Sequence, residues 1–295
     1  MCAKFTQQMT VSQFEKLFPD DDPCKQYLVA RRWPKGVCCP RCGNQNVHPV
    51  ANRSFHWQCT KCVSKGGYRF SVLVGTIFEN TNVPLKTWFK VIYLMLTSKK
   101  GISALQIHRT MGFGSYSTAH YMCHRIRAGL SDPNFRKLMG IVEVDETYIG
   151  GKNRNRHWDK RTEGTGGEGK ETVFGAAERK GNIVARVIEH ADTATLNAFI
   201  REAISEKVSL VATDEHPGYR RLKTHRSVRH TAGQYVDGVV HTQTIDGFWS
   251  LLKRGIMGSF HKVSRKYLPL YVAEFEFRYN NRNNADIFGA AIARC

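Results

Sequence analysis

Four cysteines in two pairs constrain the fold of this chain more than any other feature. The first pair is Cys39-Pro-Arg-Cys42, the second is Cys59-Thr-Lys-Cys62, and sixteen residues separate them. Two residues between the cysteines of a pair allow both thiolates to reach one tetrahedral Zn²⁺, and this spacing is typical of a four-cysteine zinc ribbon. Since four sulfur ligands leave no open position for water, we predict a zinc ion that stabilises the fold and takes no part in catalysis.

Two alternatives stay open at these cysteines. The pairs could form disulfides, although an intracellular setting favours metal binding by thiolates. Cys38 directly precedes Cys39 and could replace it as a ligand, but the Cys-Pro-x-Cys pattern favours Cys39. His48 and His56 lie between the pairs, and we expect both in loops rather than at the metal.

The balance of charge predicts a polyanionic partner. The 295 residues include 44 Lys and Arg against 25 Asp and Glu, which gives a formal charge of +19 and a pI near 9.7. Residues 1–140 hold 20 of the basic side chains and only 6 of the acidic ones. We therefore expect nucleic acid as the partner and the N-terminal half as the duplex-binding region. Because the chain has no apolar stretch of about 18 residues and no apolar signal segment, we expect an intracellular protein without a membrane span.

Two short helices joined by a turn are predicted near residues 103–130. Ser103 opens the first helix and Gly112 closes it, and a turn then leads to a second helix over Tyr116–Leu130. A glycine-containing turn between two such helices is typical of a helix-turn-helix motif. The face predicted to be buried in the second helix holds Ala119, Met122, Cys123 and Ile126. The face predicted to lie outside holds Ser117, His120, Tyr121, His124, Arg125 and Arg127.

Apolar periodicity predicts a mixed sheet with helices packed on it after residue 140. The candidate strands are 141–149, 172–179, 182–190 and 208–214. The candidate helices are 193–206, 216–223, 244–256 and 266–280. Further towards the N-terminus, residues 10–32 are predicted to be helical in two pieces, and Pro84 is predicted to begin a helix that ends at Thr97.

Three aspartates in the C-terminal half suit a two-metal centre. Asp145 and Asp214 each follow an apolar, strand-like run, and Asp246 begins an amphipathic helix whose polar face also carries Lys253. Two strand ends and a helix start can bring three carboxylates together. There a pair of Mg²⁺ or Mn²⁺ ions about 3.5–4 Å apart would activate a nucleophile and stabilise the leaving oxygen of a phosphodiester. Glu143 points to the same strand face as Asp145 and is a candidate supporting residue for the metal ligands.

The chain resembles the ISXO2-like insertion-sequence transposases, which carry an N-terminal zinc ribbon and a DDE-type catalytic domain. The resemblance covers nearly the whole chain and rests on the segments Cys39–Cys42, Thr97–Ser103, Val142–Gly151, Thr213–His216 and His241–Gly255. It implies a multi-domain α+β protein whose catalytic domain has an RNase H-like fold of mixed α/β type. The expected domains are an N-terminal helical segment (1–36), the zinc ribbon (37–66), the helix-turn-helix-like DNA-binding region (84–130) and the catalytic domain (140–290).

The resemblance also implies an activity. Asp145, Asp214 and Asp246 would hold two Mg²⁺ or Mn²⁺ ions, and Lys253 would position a phosphate. Such a transposase binds the terminal inverted repeats of its element as double-stranded DNA, hydrolyses a phosphodiester to free a 3′-hydroxyl, and joins that end to target DNA. Because two DNA ends must be held together, a homo-oligomer is expected. The expected location is the bacterial cytoplasm, in association with the nucleoid.

One position departs from the family pattern. The third metal ligand is usually Glu, whereas this chain has Asp246. The loss of one methylene shortens the reach of the carboxylate by about 1.5 Å, while ligand distances must hold within about 0.2 Å. Either the helix lies closer to the metal, a water bridges the gap, or activity has fallen.

Two other functions stay open. A catalytically impaired derivative would bind DNA through the ribbon and the helix-turn-helix region without cutting it, and Asp246 is the feature that favours this alternative. A structure-specific nuclease would use the same metal chemistry but would not join DNA ends.

Overall fold

The computed structural model divides the chain into two compact units. It describes residues 9–62, 67–151, 157–161, 169–189, 192–213, 225–227 and 241–295. The first unit comprises Met1–Leu130 with Asn283–Cys295, and the second comprises Ser131–Arg282. Among the helices within these described ranges, none combines the length and the apolar character that a bilayer crossing requires.

Two capped helices begin the first unit, as predicted. Helix α1 spans Val11–Leu17, and helix α2 spans Asp21–Arg32. The Thr10 hydroxyl accepts a hydrogen bond from the Gln13 backbone N–H at 3.2 Å, and the Gln13 side chain accepts one from the Thr10 N–H at 2.8 Å. This reciprocal cap satisfies two donors that a helix start would otherwise leave unpaired.

A small antiparallel sheet follows in the first unit. Its strands, in the order β1-β2-β3, are β1 (Val47–Pro49), β2 (His56–Cys59) and β3 (Tyr68–Ser71). Phe70 is buried and stacks on Trp57 of the neighbouring strand, with ring centroids 6.0 Å apart. Because each strand has only three or four residues, the sequence predicts no more than a turn-rich segment in this region.

The three helices predicted between residues 84 and 130 are present. They are α3 (Leu85–Thr97), α4 (Ala104–Met111) and α5 (Tyr116–Gly129). The Ser103 hydroxyl accepts from the Gln106 N–H at 3.1 Å and begins α4, while Gly112, with a φ of 66°, ends it in the left-handed conformation. The apolar face predicted for α5 is fully buried.

The C-terminal residues complete the core of the first unit. Helix α9 (Ile287–Arg294) inserts Phe288 among the rings of Phe18 and Phe89, with centroids 5.7 and 5.6 Å away. Arg31 of α2 forms an ion pair with Asp286 at the start of α9. The catalytic domain expected from the sequence extends to residue 290, whereas the second unit ends at Arg282. The sequence predicts no helix here, so the return of the chain to the N-terminal helices is a finding of the structure.

The second unit is built on a five-stranded mixed sheet. Its strands are β4 (Ile141–Ile149), β5 (Glu171–Glu178), β6 (Ile183–Ile188), β7 (Leu210–Thr213) and β8 (His225–Ser227). The order across the sheet is β6-β5-β4-β7-β8. Strand β5 is antiparallel to both of its neighbours, β4 and β6, whereas β7 runs parallel to both β4 and β8. Four of the strands are those predicted, and β8 is additional.

Helices cover both faces of this sheet. They are α6 (Thr193–Ala203), α7 (Gln243–Gly255) and α8 (Leu268–Asn280). Side chains alternate between the faces of a strand, so Phe174 packs in the core with α6 while Val173 packs in the core with α7 and α8. The helices predicted at 193–206, 244–256 and 266–280 are confirmed, and the one predicted at 216–223 lies outside the described residues.

Helix α8 also covers the edge strand β6. The Glu276 carboxylate accepts a hydrogen bond from the Ala185 backbone N–H at 3.1 Å, and the Asn280 amide bonds both the N–H and the carbonyl of Ile183, at 2.7 and 2.8 Å. Exposed strand edges are sites of unwanted pairing. Two side chains of α8 therefore satisfy backbone groups that a further strand would otherwise pair.

Candidate functional site

The four paired cysteines come together in the first unit. The Sγ atoms of Cys39, Cys42, Cys59 and Cys62 all lie within 4.8 Å of one another. The distance from Cys39 Sγ to Cys62 Sγ is 3.8 Å, and that from Cys42 Sγ to Cys59 Sγ is 3.7 Å. Tetrahedral zinc with Zn–S bonds of about 2.3 Å separates its sulfurs by about 3.8 Å. The cluster therefore fits a structural zinc ion.

Local backbone geometry explains why these cysteines converge. Gly43, with a φ of 70°, turns the chain after the first pair and donates its N–H to the Cys39 carbonyl at 2.8 Å. Cys59 ends strand β2. Burial opposes ionisation of the Cys59 thiol, but hydrogen bonds from the Cys62 backbone and the Asn44 side chain lower its pKa. The pKa of the Cys62 thiol in the same cluster is raised by its hydrogen bond with Cys42 and by burial. Zinc binds thiolates, so a zinc ion at this cluster would displace the protons that the sulfurs share.

The cluster settles the choice between adjacent cysteines. Cys39 is in it and Cys38 is not. His56 is also outside it, and its Nδ1 lies 2.8 Å from the Ser54 carbonyl. Among the described residues, the cluster thus includes Cys39 and not Cys38. The loops predicted for the two histidines are wrong, because His48 lies in β1 and His56 begins β2.

Asp145 lies on the face of the second unit's sheet that helix α7 covers. It occupies the middle of β4, opposite Gly175 of β5. The strand predicted at 141–149 is confirmed, but Asp145 lies inside it and not at its end, because β4 continues for four more residues along β5. The described pairing of β4 with β7, however, stops at Glu143 and Ala212, two residues before Asp145. The half-buried Asp145 carboxylate accepts a hydrogen bond from the indole N–H of Trp249 at 2.9 Å.

Asp246 lies in the first turn of α7 and is exposed. The Thr242 hydroxyl donates to its Oδ2 at 3.2 Å. Ser250 and Lys253 are also exposed and follow at helical spacing, so the polar face predicted for this helix is present. Asp214, the remaining predicted ligand, lies outside the described residues.

Glu143 is a buried charge on strand β4, two residues before Asp145. Its side chain is completely buried, and it accepts hydrogen bonds from the Thr244 and Ile245 backbone N–H groups at 2.7 and 3.1 Å. Arg179 donates to the same carboxylate at 2.7 Å and to the His241 carbonyl at 3.0 Å. A carboxylate at a helix start satisfies orphan backbone donors and interacts favourably with the helix dipole. Glu143 thereby attaches the beginning of α7 to β4.

The sequence analysis identifies Glu143 as a supporting residue but not its partners. Arg179 lies in the turn after β5, and helical spacing alone places Trp249 in the apolar stripe of α7 with Ile245, Phe248 and Leu252. Gly175 was not singled out, yet a Cβ there would lie 2.7 Å from the Trp249 ring. No local signal marks these residues, because their contacts depend on sheet pairing between distant segments.

The outer face of α5 is only partly as predicted. Ser117 and Tyr121 are exposed, and His120, His124 and Arg125 are half-buried. Arg127 was predicted on this face, which is wrong, because its side chain is 1% exposed. It lies four residues after the buried Cys123, and residues at that spacing share a helix face. Burial, and then the charges of His120 and Arg127, lower the pKa of His124 to about 4, so His124 is neutral at pH 7.

Comparison with known proteins gives concordant matches for both units. Residues 137–280 match the ISXO2-like transposase domain, and residues 19–65 match the transposase zinc-ribbon domain. A protein of the transposable element ISH50 of Halobacterium salinarum is 29% identical over 282 residues, which cover 89% of this chain and 92% of the relative. Among solved structures, a chain of the simian T-cell lymphotropic virus intasome in complex with the PP2A regulatory subunit B56 gamma is 15% identical, with a TM-score of 0.32. That match covers 64% of this chain and 65% of the other.

Proposed function

Because the chain belongs to the ISXO2-like transposases that carry a zinc-ribbon domain, we propose that it cuts the DNA ends of an insertion sequence and joins them to target DNA. The observation that carries this proposal is the hydrogen bond from Trp249 to Asp145. Helix α7, whose first turn holds Asp246, also carries Trp249, so this bond links the segments of two acidic residues that are far apart in the sequence. Both offer the hard oxygen atoms that Mg²⁺ or Mn²⁺ prefers.

The catalytic ligands in this proposal are Asp145, Asp214 and Asp246. In the described register Glu143 pairs with Ala212, and Asp145 and Asp214 each follow their member of that pair by two residues. Bound magnesium would supply charge stabilisation and an activated oxygen nucleophile. The protein's own groups would orient this chemistry, with Lys253 on the exposed face of α7 as the cation for a phosphate.

We further propose an RNase H-like fold for the second unit. An antiparallel meander of three strands, two parallel strands on the other side of β4, and helices on both faces support this assignment. In the first unit, helices α4 and α5 form the proposed helix-turn-helix region, and the excess of basic side chains in residues 1–140 supports contact with DNA phosphates. The proposed DNA is the terminal inverted repeats. Synapsis of two such ends requires at least a dimer.

Cleavage of end-sequence DNA in Mg²⁺ and in Mn²⁺ tests this function. We expect Asp145→Asn to abolish cutting while leaving DNA binding within about twofold, since the amide keeps the shape but loses the charge that holds the metal. Asp159→Asn is the matched control, because Asp159 is a half-exposed carboxylate whose described ion pair is with His157, two residues away. Unchanged cutting by Asp145→Asn would refute the catalytic assignment.

The same assay addresses the second candidate, a DNA-binding protein without catalysis. The shorter side chain at Asp246 is the observation that favours it. A wild-type chain that binds end-sequence DNA but cuts it with neither metal would establish this candidate in place of the transposase.

A further inference from the structure

Helix α7 is attached to strand β4 at two points, and both attachments are adjacent to the proposed metal ligands. At the first point, the buried Glu143 carboxylate accepts from Thr244 N–H, Thr244 Oγ1 and Ile245 N–H, at 2.7, 2.9 and 3.1 Å. Asp246 is the next residue. The position of its backbone relative to β4 is thus set by hydrogen bonds to a charge that is itself held by Arg179.

The second point of attachment crosses strand β5. Trp249 lies one turn after Asp246, is 4% exposed, and donates its indole N–H to Asp145 at 2.9 Å. Its ring lies against Gly175, where a Cβ would meet Trp249 Cη2 at 2.7 Å and Cζ2 at 2.8 Å. Real Cβ atoms essentially never approach other atoms that closely. The helix can therefore lie this near to β4 only because residue 175 has no side chain.

We propose that Glu143 and Trp249 are positioning residues that hold α7 close enough to β4 for the short carboxylate of Asp246 to share a metal with Asp145. This inference rests on the proposed function. An aspartate reaches about 1.5 Å less far than a glutamate, and metal–ligand distances tolerate only about 0.2 Å. The missing methylene could be compensated by a helix that lies closer to the metal or by a bridging water. The structure supports the closer helix, because Glu143 and Trp249 both bond α7 to β4.

The sharpest test changes Gly175, so that no acidic residue and no hydrogen-bonding side chain is replaced. Gly175→Ala should displace the Trp249 ring and move α7 outward. We expect the affinity for Mn²⁺ to fall about 10- to 100-fold, which is the usual effect of losing a group that supports a metal ligand. The measurement is a titration of the zinc-loaded full chain with Mn²⁺, in which electron paramagnetic resonance reports the concentration of unbound Mn²⁺. Cleavage at limiting Mn²⁺ should fall with this affinity. Gly258→Ala is the matched control, because a Cβ there meets nothing within 4 Å.

Rescue separates positioning from a general loss of structure. The double variant Gly175→Ala/Asp246→Glu should regain most of the Mn²⁺ affinity and cleavage, since the longer side chain spans the widened gap. Its unfolding midpoint should stay that of Gly175→Ala. Loss of Mn²⁺ binding in Gly175→Ala without any recovery in the double variant would overturn the inference.

A second variant applies if Gly175→Ala does not fold. Trp249→Phe keeps an aromatic ring in place but removes the N–H donor, and it should weaken Mn²⁺ binding about tenfold. Trp158→Phe is its control, since Trp158 is 76% exposed. Wild-type Mn²⁺ affinity in both Gly175→Ala and Trp249→Phe, with binding lost in Asp145→Asn, would refute the positioning role and leave the proposed function intact. Wild-type affinity and cutting in Asp145→Asn as well would refute the proposed function, and the positioning role with it.

Discussion

The cysteine cluster of the first unit and the proposed acidic centre of the second unit, which includes Asp145 and Asp246, depend on the fold in different ways. The four cysteines lie within residues 39–62, and two tight turns bring their sulfurs to within 4.8 Å of one another. At the acidic centre, 104 residues separate Trp249 from the aspartate it bonds. The first cluster is therefore a local structure that a metal can complete. The second requires a finished sheet, a helix packed on it, and buried groups that set the distance between them.

This difference predicts that removal of zinc and removal of Mg²⁺ have different effects, the first on structure and the second on catalysis. Zinc binding to small ribbons and fingers is coupled to folding, with apparent free energies of about 10–16 kcal/mol in peptides. Mg²⁺ at the acidic centre would instead bind to a site that the fold has already built. Chelation should consequently unfold the ribbon, whereas dilution of Mg²⁺ should stop only the chemistry.

The largest expected effect is the loss of the ribbon. Cys39→Ser should abolish zinc binding and unfold β1–β3, because a hydroxyl is a far poorer zinc ligand than a thiolate. Zinc content by atomic absorption and protease resistance of residues 37–66 are the measurements. Cys38→Ser is an adjacent control that is outside the cluster, and it should retain zinc and structure. Loss of zinc from Cys38→Ser with retention in Cys39→Ser would reverse the assignment.

Features that depend on local sequence could be predicted, whereas contacts between distant segments could not. The clustering of the four cysteines was predictable because the spacing within each Cys-x-x-Cys pair is a local feature. The bounds of α4 were predictable because Ser103 and Gly112 cap the helix through local backbone geometry. Strand β4 was also predicted with its observed bounds. The prediction for Arg127 was wrong although local spacing was sufficient to correct it, since Arg127 lies four residues after Cys123 and therefore on the buried face of α5. Contacts set by packing between distant segments were not predictable.

The acidic centre illustrates the limit more sharply. Trp249 was assigned correctly to the apolar stripe of α7, but a helical pattern cannot show that its N–H bonds Asp145. That contact requires Gly175 to pair with Asp145 in a neighbouring strand. A glycine in a strand can mark a bulge, a bend or a close approach by another group. The presence of Gly175 in the sequence therefore does not predict that a tryptophan packs against it.

An intermediate effect is expected from Glu276, which couples the stability of the second unit to pH. Burial raises the pKa of Glu276 to about 7 from an ordinary value of 4.5, against the opposing influence of Arg186 and the Ala185 N–H. The unfolded chain therefore releases this proton at lower pH than the folded chain does. Between pH 4.5 and about 7, the contribution of this group to the free energy of unfolding falls as pH rises, by about 3 kcal/mol in total.

Glu276→Gln removes this titration. Relative to wild type, the free energy of unfolding of the variant should increase by about 3 kcal/mol between pH 4.5 and pH 8, measured by urea titration of the second unit's transition. Glu189→Gln is the control, since its side chain is 80% exposed. Parallel pH profiles for wild type and Glu276→Gln would contradict the prediction. A positive result would show that the stability of the second unit depends on the protonation of Glu276.

The smallest expected effect concerns Lys253, the residue on the exposed face of α7 that we propose contacts a phosphate. A lysine that neutralises one phosphate adds about 0.9 to the slope of log K against log salt. Lys253→Gln should reduce that slope by about this amount and weaken DNA binding modestly at every sequence. Lys262→Gln supplies the comparison, because Lys262 is equally exposed but lies beyond α7. Equal slopes for the two variants would assign Lys253 to the solvated surface, and the exposed face of α7 would then contribute its carboxylate at Asp246 but no cation to the binding of DNA.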